Sequence, residues 1–144
     1  MDKAAVQQHF EQALAESRPE FGQFFLARFY GLQIEYEAEQ CRVTLPVQEH
    51  MLNPVGALHG GVLATALDVS MGHLIHHVTG HGGATVDMNI QYLRPVTAGQ
   101  VVFEAGFLKR GRTLAFMESR ATNEDGKLVA IATATWALPQ PATD

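Results

Sequence analysis

Asn53-Pro54-Val55-Gly56-Ala57-Leu58-His59-Gly60-Gly61-Val62-Leu63-Ala64-Thr65-Ala66-Leu67-Asp68-Val69-Ser70-Met71-Gly72-His73-Leu74-Ile75 is the stretch on which the fold turns. From Val62 to Ile75 apolar residues occupy nearly every face, which predicts a helix buried on all sides rather than an amphipathic surface helix. One carboxylate, Asp68, interrupts it. A carboxylate in that position is costly unless paired, hydrated or used, and mid-helix it cannot act as an N-cap. The Gly60-Gly61 step lets a ligand approach the helix N-terminus, where free N–H groups and the positive dipole end favour an oxyanion. A lone carboxylate and an oxyanion-binding helix end are the parts needed to attack an acyl carbon.

Gly60 and Asp68 are eight residues apart, so on one helix they stand roughly 12 Å apart along the axis at about 1.5 Å per residue. One carbonyl group cannot touch both. If both act on one substrate, the Asp must meet the glycine N–H of a second copy, which a two-fold axis between antiparallel helices arranges twice. The spacing therefore predicts a homodimer with shared sites.

Working outward, residues 3–16 read as an Ala/Gln/Glu-rich helix that ends near Ser17-Arg18-Pro19. A second short helix is expected over about 20–30, with Phe21, Phe24, Phe25 and Phe29 on one face, as core packing or as a wall of an acyl pocket. Alternation then predicts strands at 32–38 and 41–47, followed by the long helix fading near Thr79-Gly80. Val86, Met88, Ile90 and Tyr92 alternate with Thr85, Asp87, Asn89 and Gln91 in a further strand closed by Pro95. Two hairpin-linked strands follow, Val101 to Leu108 and Thr113 to Thr122. Asn123-Glu124-Asp125-Gly126 turns into a last strand, Leu128 to Trp136. Ala130, Ala132 and Ala134 share one face there and allow a helix to pack closely. The order predicts an α+β domain over 1–144, an antiparallel sheet wrapped round one central helix.

Composition narrows the function classes. A chain of 144 residues with 47% apolar residues and 17% charged ones is an ordinary globular domain. A net charge of −5 leaves no broad basic stripe, so nucleic acid is not an expected partner. The single cysteine, Cys41, excludes an internal disulfide framework and fits a reducing compartment. No signal peptide or spanning segment is legible, so no membrane partner is expected and the cytoplasm is the default location. His73, His76, His77 and His81 invite a metal reading, yet histidine is also favoured at helix C-termini and no acidic or Cys ligand lies near in sequence. No metal is expected.

These motifs in order resemble the hotdog-fold acyl-CoA thioesterases. The residues that carry the likeness are Asn53-x-x-Gly56-x-x-His59-Gly60-Gly61 with Asp68, Val86-Asp87-Met88-Asn89-Ile90-x-Tyr92-Leu93-x-Pro95, Gly111 to Phe116 and Asp125 to Ala130. The nearest likeness is to the branch of phenylacetyl-CoA-type and 4-hydroxybenzoyl-CoA thioesterases. It covers about 30–137, so that 1–29 is an N-terminal helical extension to a hotdog core at 30–138. The resemblance implies Asp68 as nucleophile or general base and the Gly60 N–H, beside Gly61, as the polarising donor from the partner subunit. It also implies Asn53 orienting water or substrate, His59 positioning, and Thr85 near an attacking water. No cofactor is implied, because coenzyme A is part of the substrate. The implied assembly is a homodimer, paired into a homotetramer. Asn53 has an alternative as a turn residue, and His59 as a helix-start hydrogen bond without chemistry. Lys109, Arg110 and Arg112 cluster in one hairpin turn, either simply solvated or seating coenzyme A phosphates; Arg94 is a further candidate. Other functions compatible with the fold are an acyl-CoA-binding sensor and an acyl-thioester dehydratase.

Overall fold

The computed structural model describes residues 1–140. Helix α1 spans Lys3–Glu16 and is capped by Asp2, whose carboxylate accepts from the N–H groups of Ala4 and Ala5. The second helix is shorter than expected: α2 covers only Phe25–Phe29. Gly22, at φ 75°, turns the chain in a left-handed conformation that a helix cannot continue through. Phe21 and Phe24 therefore precede the helix instead of lying along its face.

Strands β1 (Gln33–Glu37) and β2 (Gln40–Pro46) form a hairpin, and α3 runs from Gly60 to Thr79, ending on Gly80. Four strands follow: β3 Ala84–Tyr92, β4 Gln100–Arg110, β5 Leu114–Asn123 and β6 Leu128–Ala137. They make one antiparallel six-stranded sheet in the order β1-β2-β4-β5-β6-β3, packed against α3 as the resemblance implied. The Asn123–Gly126 turn forms as expected, with the Asn123 side chain accepting from the N–H groups of Asp125 and Lys127.

The inner face of the sheet is built from alternate residues. Val43, Leu45, Phe103, Met117 and Trp136 meet Leu67, Met71 and Leu74 of α3 in one buried core. Ala130, Ala132 and Ala134 are all buried on that face, as the small-residue pattern predicted. Two contacts fix the rotation of α3. Ser70 donates to the Leu67 carbonyl at 2.7 Å, so the Ser119 hydroxyl on β5 donates to Ser70 at 2.8 Å, and both are fully buried. Gly72 lies directly against the Trp136 ring.

Within one chain, α3 is not buried on all sides. Ala64, Thr65, Asp68, Val69 and Gly72 form a stripe that is only half-buried, because a single sheet covers a helix from one side. No helix among the described residues is long and apolar enough to cross a membrane.

A Cβ at Gly72 would stand 2.9 Å from Cη2 of Trp136, a rigid and buried ring. Gly72→Ala should therefore lose about 1–3 kcal/mol through overpacking, against a gain of roughly 1 kcal/mol in helix propensity. The expected net result is a lower urea midpoint at unchanged slope. A midpoint equal to or above that of the parent chain would show that Trp136 yields freely.

Candidate active site

The loop before α3 builds the helix N-terminus. Asn53 Oδ1 accepts from the N–H groups of Val55 and Ala57, both at 3.1 Å, while Asn53 N–H donates to the Ala57 carbonyl at 2.7 Å. Asn53 is thus a turn residue, and its side-chain NH2 is the group left to contact a ligand. The turn delivers His59 as the N-cap. His59 Nδ1 accepts from the Gly61 N–H at 3.2 Å, and the His59 carbonyl accepts from Val62 and Leu63 at 2.9 and 3.2 Å. The Gly60 N–H has no partner among the described residues. Capping therefore singles out Gly60 and engages Gly61, whose N–H cannot serve a ligand while His59 holds it.

Tyr92, on the inner face of β3, donates its hydroxyl to the Gly60 carbonyl at 3.0 Å. A Cβ on Gly60 would touch the Tyr92 ring at 3.4 Å, so the ring fixes the helix entry. The sequence showed Tyr92 only as an apolar strand position. A groove of about 380 Å³ opens here, bounded by Asn53, Leu58, Gly60, Leu63, Tyr92 and Arg94.

Asp68 lies two turns further along and opens into a different cleft, also about 380 Å³, with Phe24, Val69, His73, Thr85 and Trp136. It is neither buried nor alone: Thr85 Oγ1 donates to Asp68 Oδ1 at 2.7 Å. Strict alternation would place Thr85 on the face opposite Met88. A β-bulge between Thr85 and Asp87 sets Thr85 opposite Trp136 and Met88 opposite Ala134, both inward positions, and leaves Val86 as the extra residue. The bulge is what brings Thr85 to the carboxylate.

His73 is 3% exposed. Its Nδ1 donates to the Val69 carbonyl at 2.9 Å, which leaves Nε2 buried and without a partner. Burial pushes its pKa below the usual histidine range; the Val69 hydrogen bond opposes that, and the nearby His76 adds to it. His76 stacks on Phe21 and His77 on Tyr36, so these histidines have separate partners.

The basic residues do not form one cluster. Lys109 and Arg110 end β4, and only Arg112 lies in the turn. Arg110 pairs with Glu39 at 3.3 Å and sits 5.7 Å from the Phe107 ring centre. The register Arg110–Ala115–Trp136–Thr85 puts it at the Thr85 end of the sheet. Arg94 donates to the Leu128 carbonyl at 2.7 Å and lies at the opposite end, beside Gly60.

Residues 55–130 match the family model described as Thioesterase superfamily. Acyl-coenzyme A thioesterase 13 of Homo sapiens is 43% identical over 89 residues, covering 60% of this chain and 64% of that protein. The match thus spans under two thirds of the length of that relative. A phenylacetic acid degradation-related protein of Ralstonia eutropha JMP134 is 29% identical at a TM-score of 0.74, covering 90% of this chain and 99% of that one. A Bacillus halodurans protein solved with CoA shares the fold at a TM-score of 0.84 and 22% identity, over 96% and 94% of the two chains.

Because His73 is held neutral in the folded chain, the unfolded chain takes up its proton first as pH falls. Folding stability should then decline from the ordinary histidine pKa of about 6.5 downward. Denaturant midpoints at pH 7 and pH 5 should separate less in His73→Phe than in the parent chain. His50, whose pKa burial also lowers, acts in the same direction and keeps some of the separation in the variant. An identical separation in both proteins would remove His73 from the effect.

Proposed function

The chain belongs to the thioesterase superfamily, and from that premise we propose that it hydrolyses an acyl-CoA thioester to a carboxylic acid and coenzyme A. The observation that carries this reading is the division of labour along α3. Gly60 presents an unengaged N–H in one cleft, and Asp68 presents a carboxylate held by Thr85 in another. A thioester carbonyl polarised by Gly60 of one protomer meets Asp68 of its partner, so the site is complete only in a homodimer. Two features support that assembly: the half-buried stripe on α3 and the nine-residue edge strand β3, which pairs on one side only.

The chemistry asks little beyond these groups. Thiolate is a good leaving group, and the step that needs help is addition to the carbonyl. Thr85 occupies Oδ1 and leaves Oδ2 of Asp68 as the reacting oxygen. That oxygen either adds directly, giving a mixed anhydride that water then opens, or takes a proton from water as hydroxide adds. In either route the tetrahedral adduct collapses as the C–S bond breaks and sulfur leaves as thiolate, which in the direct route is the step that yields the anhydride before water enters. In both routes the oxyanion rests on the Gly60 N–H, which needs no reorganisation because capping has already aimed it. Asn53 and His59 position substrate or water. Arg94 on one side, and Lys109, Arg110 and Arg112 on the other, supply guanidinium and ammonium groups for the coenzyme A phosphates. The acyl-coenzyme A relative supports that substrate class.

Exposed Leu108, Leu114 and Phe116 on β4 and β5 support a second interface that joins dimers in pairs. Cys41 is a buried thiol whose pKa burial pushes up to about 12, consistent with an inert cysteine in a reducing cytoplasm.

Asp68→Asn should lower kcat by about 10²–10⁴-fold while the chain stays folded. Near-normal turnover of acyl-CoA would remove Asp68 from the mechanism. Mixing Asp68→Asn with Gly60→Val, each tagged differently, tests the sharing. A heterodimer then holds one site with both lesions and one with neither, so two inactive parents should regain up to about half of normal activity. With subunit exchange demonstrated and no recovery, both groups come from one chain.

A further inference from the structure

Resting on the acyl-CoA hydrolase reading, we infer that Phe21 and Phe24 close the far end of the acyl pocket and set the length of acyl group accepted. The cleft that holds Asp68 runs along α3 past Val69, Gly72 and His73. Phe24 stands over His73 with ring centres 5.9 Å apart. Phe21 lies further on, stacked on His76 at 3.7 Å with ring planes 9° apart and edge-on to His73 at 5.1 Å. His76 follows Asp68 by eight residues, or about 12 Å along the helix. An acyl chain that starts at a carbonyl beside Asp68 and follows Val69 and Gly72 meets both rings before the helix ends. Val69, Phe24 and Trp136 give it apolar walls.

Phe21 is 43% exposed, yet it is held on several sides. Beyond the two imidazole contacts, its Cζ lies where a Cβ on Gly82 would come within 3.1 Å, so the ring rests on the backbone after α3. Gly22, in its left-handed turn, separates the two phenylalanines and lets both reach the cleft. An exposed aromatic ring packed this closely is a fixed wall rather than a mobile side chain. The two rings belong to residues 17–24, outside the 55–130 stretch that matches the family model. The pocket wall is therefore supplied by a part of the chain that the family pattern does not cover. The apolar wall also explains why phenylalanines recur here without forming the face of a helix.

The test is a ladder of substrates from acetyl-CoA through butanoyl-, hexanoyl-, octanoyl- and dodecanoyl-CoA to hexadecanoyl-CoA, with kcat/KM measured for each. The parent chain should show a maximum followed by a fall of about tenfold or more at longer acyl groups. Phe21→Ala and Phe24→Ala should move that fall to longer acyl groups. Phe21→Trp should move it to shorter ones, a change that loss of structure would not produce. The inference is overturned by a profile without a fall, or by one that stays in the same place in all three variants. A parent chain that hydrolyses neither a member of the ladder nor phenylacetyl-CoA or 4-hydroxybenzoyl-CoA overturns the thioesterase reading, whereas one that hydrolyses only these aromatic thioesters overturns the length limit alone.

Discussion

A helix that is apolar on nearly all faces needs cover on nearly all faces, and one antiparallel sheet can provide only half of it. That mismatch organises the molecule. The sheet takes Leu67, Ser70, Met71 and Leu74 of α3, and what remains is the stripe through Ala64, Thr65, Asp68, Val69 and Gly72. Helix rotation is fixed tightly. The buried Ser70–Ser119 hydrogen bond and the close Gly72–Trp136 contact allow one setting. A turn of about 100°, one residue's worth, would carry Asp68 toward the core, where an unpaired carboxylate is strongly disfavoured. The carboxylate therefore reports the rotation of the helix as much as its chemistry.

The two ends of that stripe are prepared by different local devices. At the N-terminus, His59 spends its Nδ1 on Gly61 and its carbonyl on Val62 and Leu63, so a single amide remains unengaged. Eight residues on, a bulge in β3 turns one threonine inward to hold one carboxylate oxygen. Neither device needs a charged neighbour. Each removes a degree of freedom, the first by capping and the second by a hydrogen bond, which is how electrostatic preorganisation is achieved with neutral groups.

Much of this was legible in the sequence because it follows from period and punctuation. The extents of α1 and α3, the six strands and the Asn123–Gly126 turn follow from apolar spacing and turn residues. The separation of Gly60 from Asp68 needed only the helix rise. Four matters were not legible, each for a physical reason. The helix expected over 20–30 shrinks to Phe25–Phe29 because four phenylalanines near helical spacing mimic a helical face, while Gly22 in a left-handed turn stops the helix. Alternation put Thr85 on the wrong face, since a bulge adds a residue without a composition signal. Lys109, Arg110 and Arg112 read as one turn because β4 continues two residues beyond the expected Leu108. The link between Tyr92 and Gly60 joins residues 32 apart, and no local pattern encodes such a contact.

Edge strand β3 lies beside the α3 stripe, joined to it by the Thr85–Asp68 hydrogen bond. A nine-residue strand with one unpaired edge is a standing liability for a protein chain, and such edges are usually covered, bent or charged. Here the bulge disturbs only its first residues, and Met88 to Tyr92 pair regularly with β6, so most of the outer edge stays straight. The same strand carries Thr85 at one end and Tyr92 at the other, the residues that touch Asp68 and Gly60. Under the proposed two-fold assembly, pairing this edge with its counterpart would reverse the second strand and lay each Thr85 end toward a Tyr92 end. In that assembly the contact that removes the exposed edge would also be the one that brings one protomer's carboxylate to the other's helix N-terminus. Fold stability and site assembly would rest on one surface, and that accounts for a chain that leaves both the helix stripe and the strand edge uncovered on the same side.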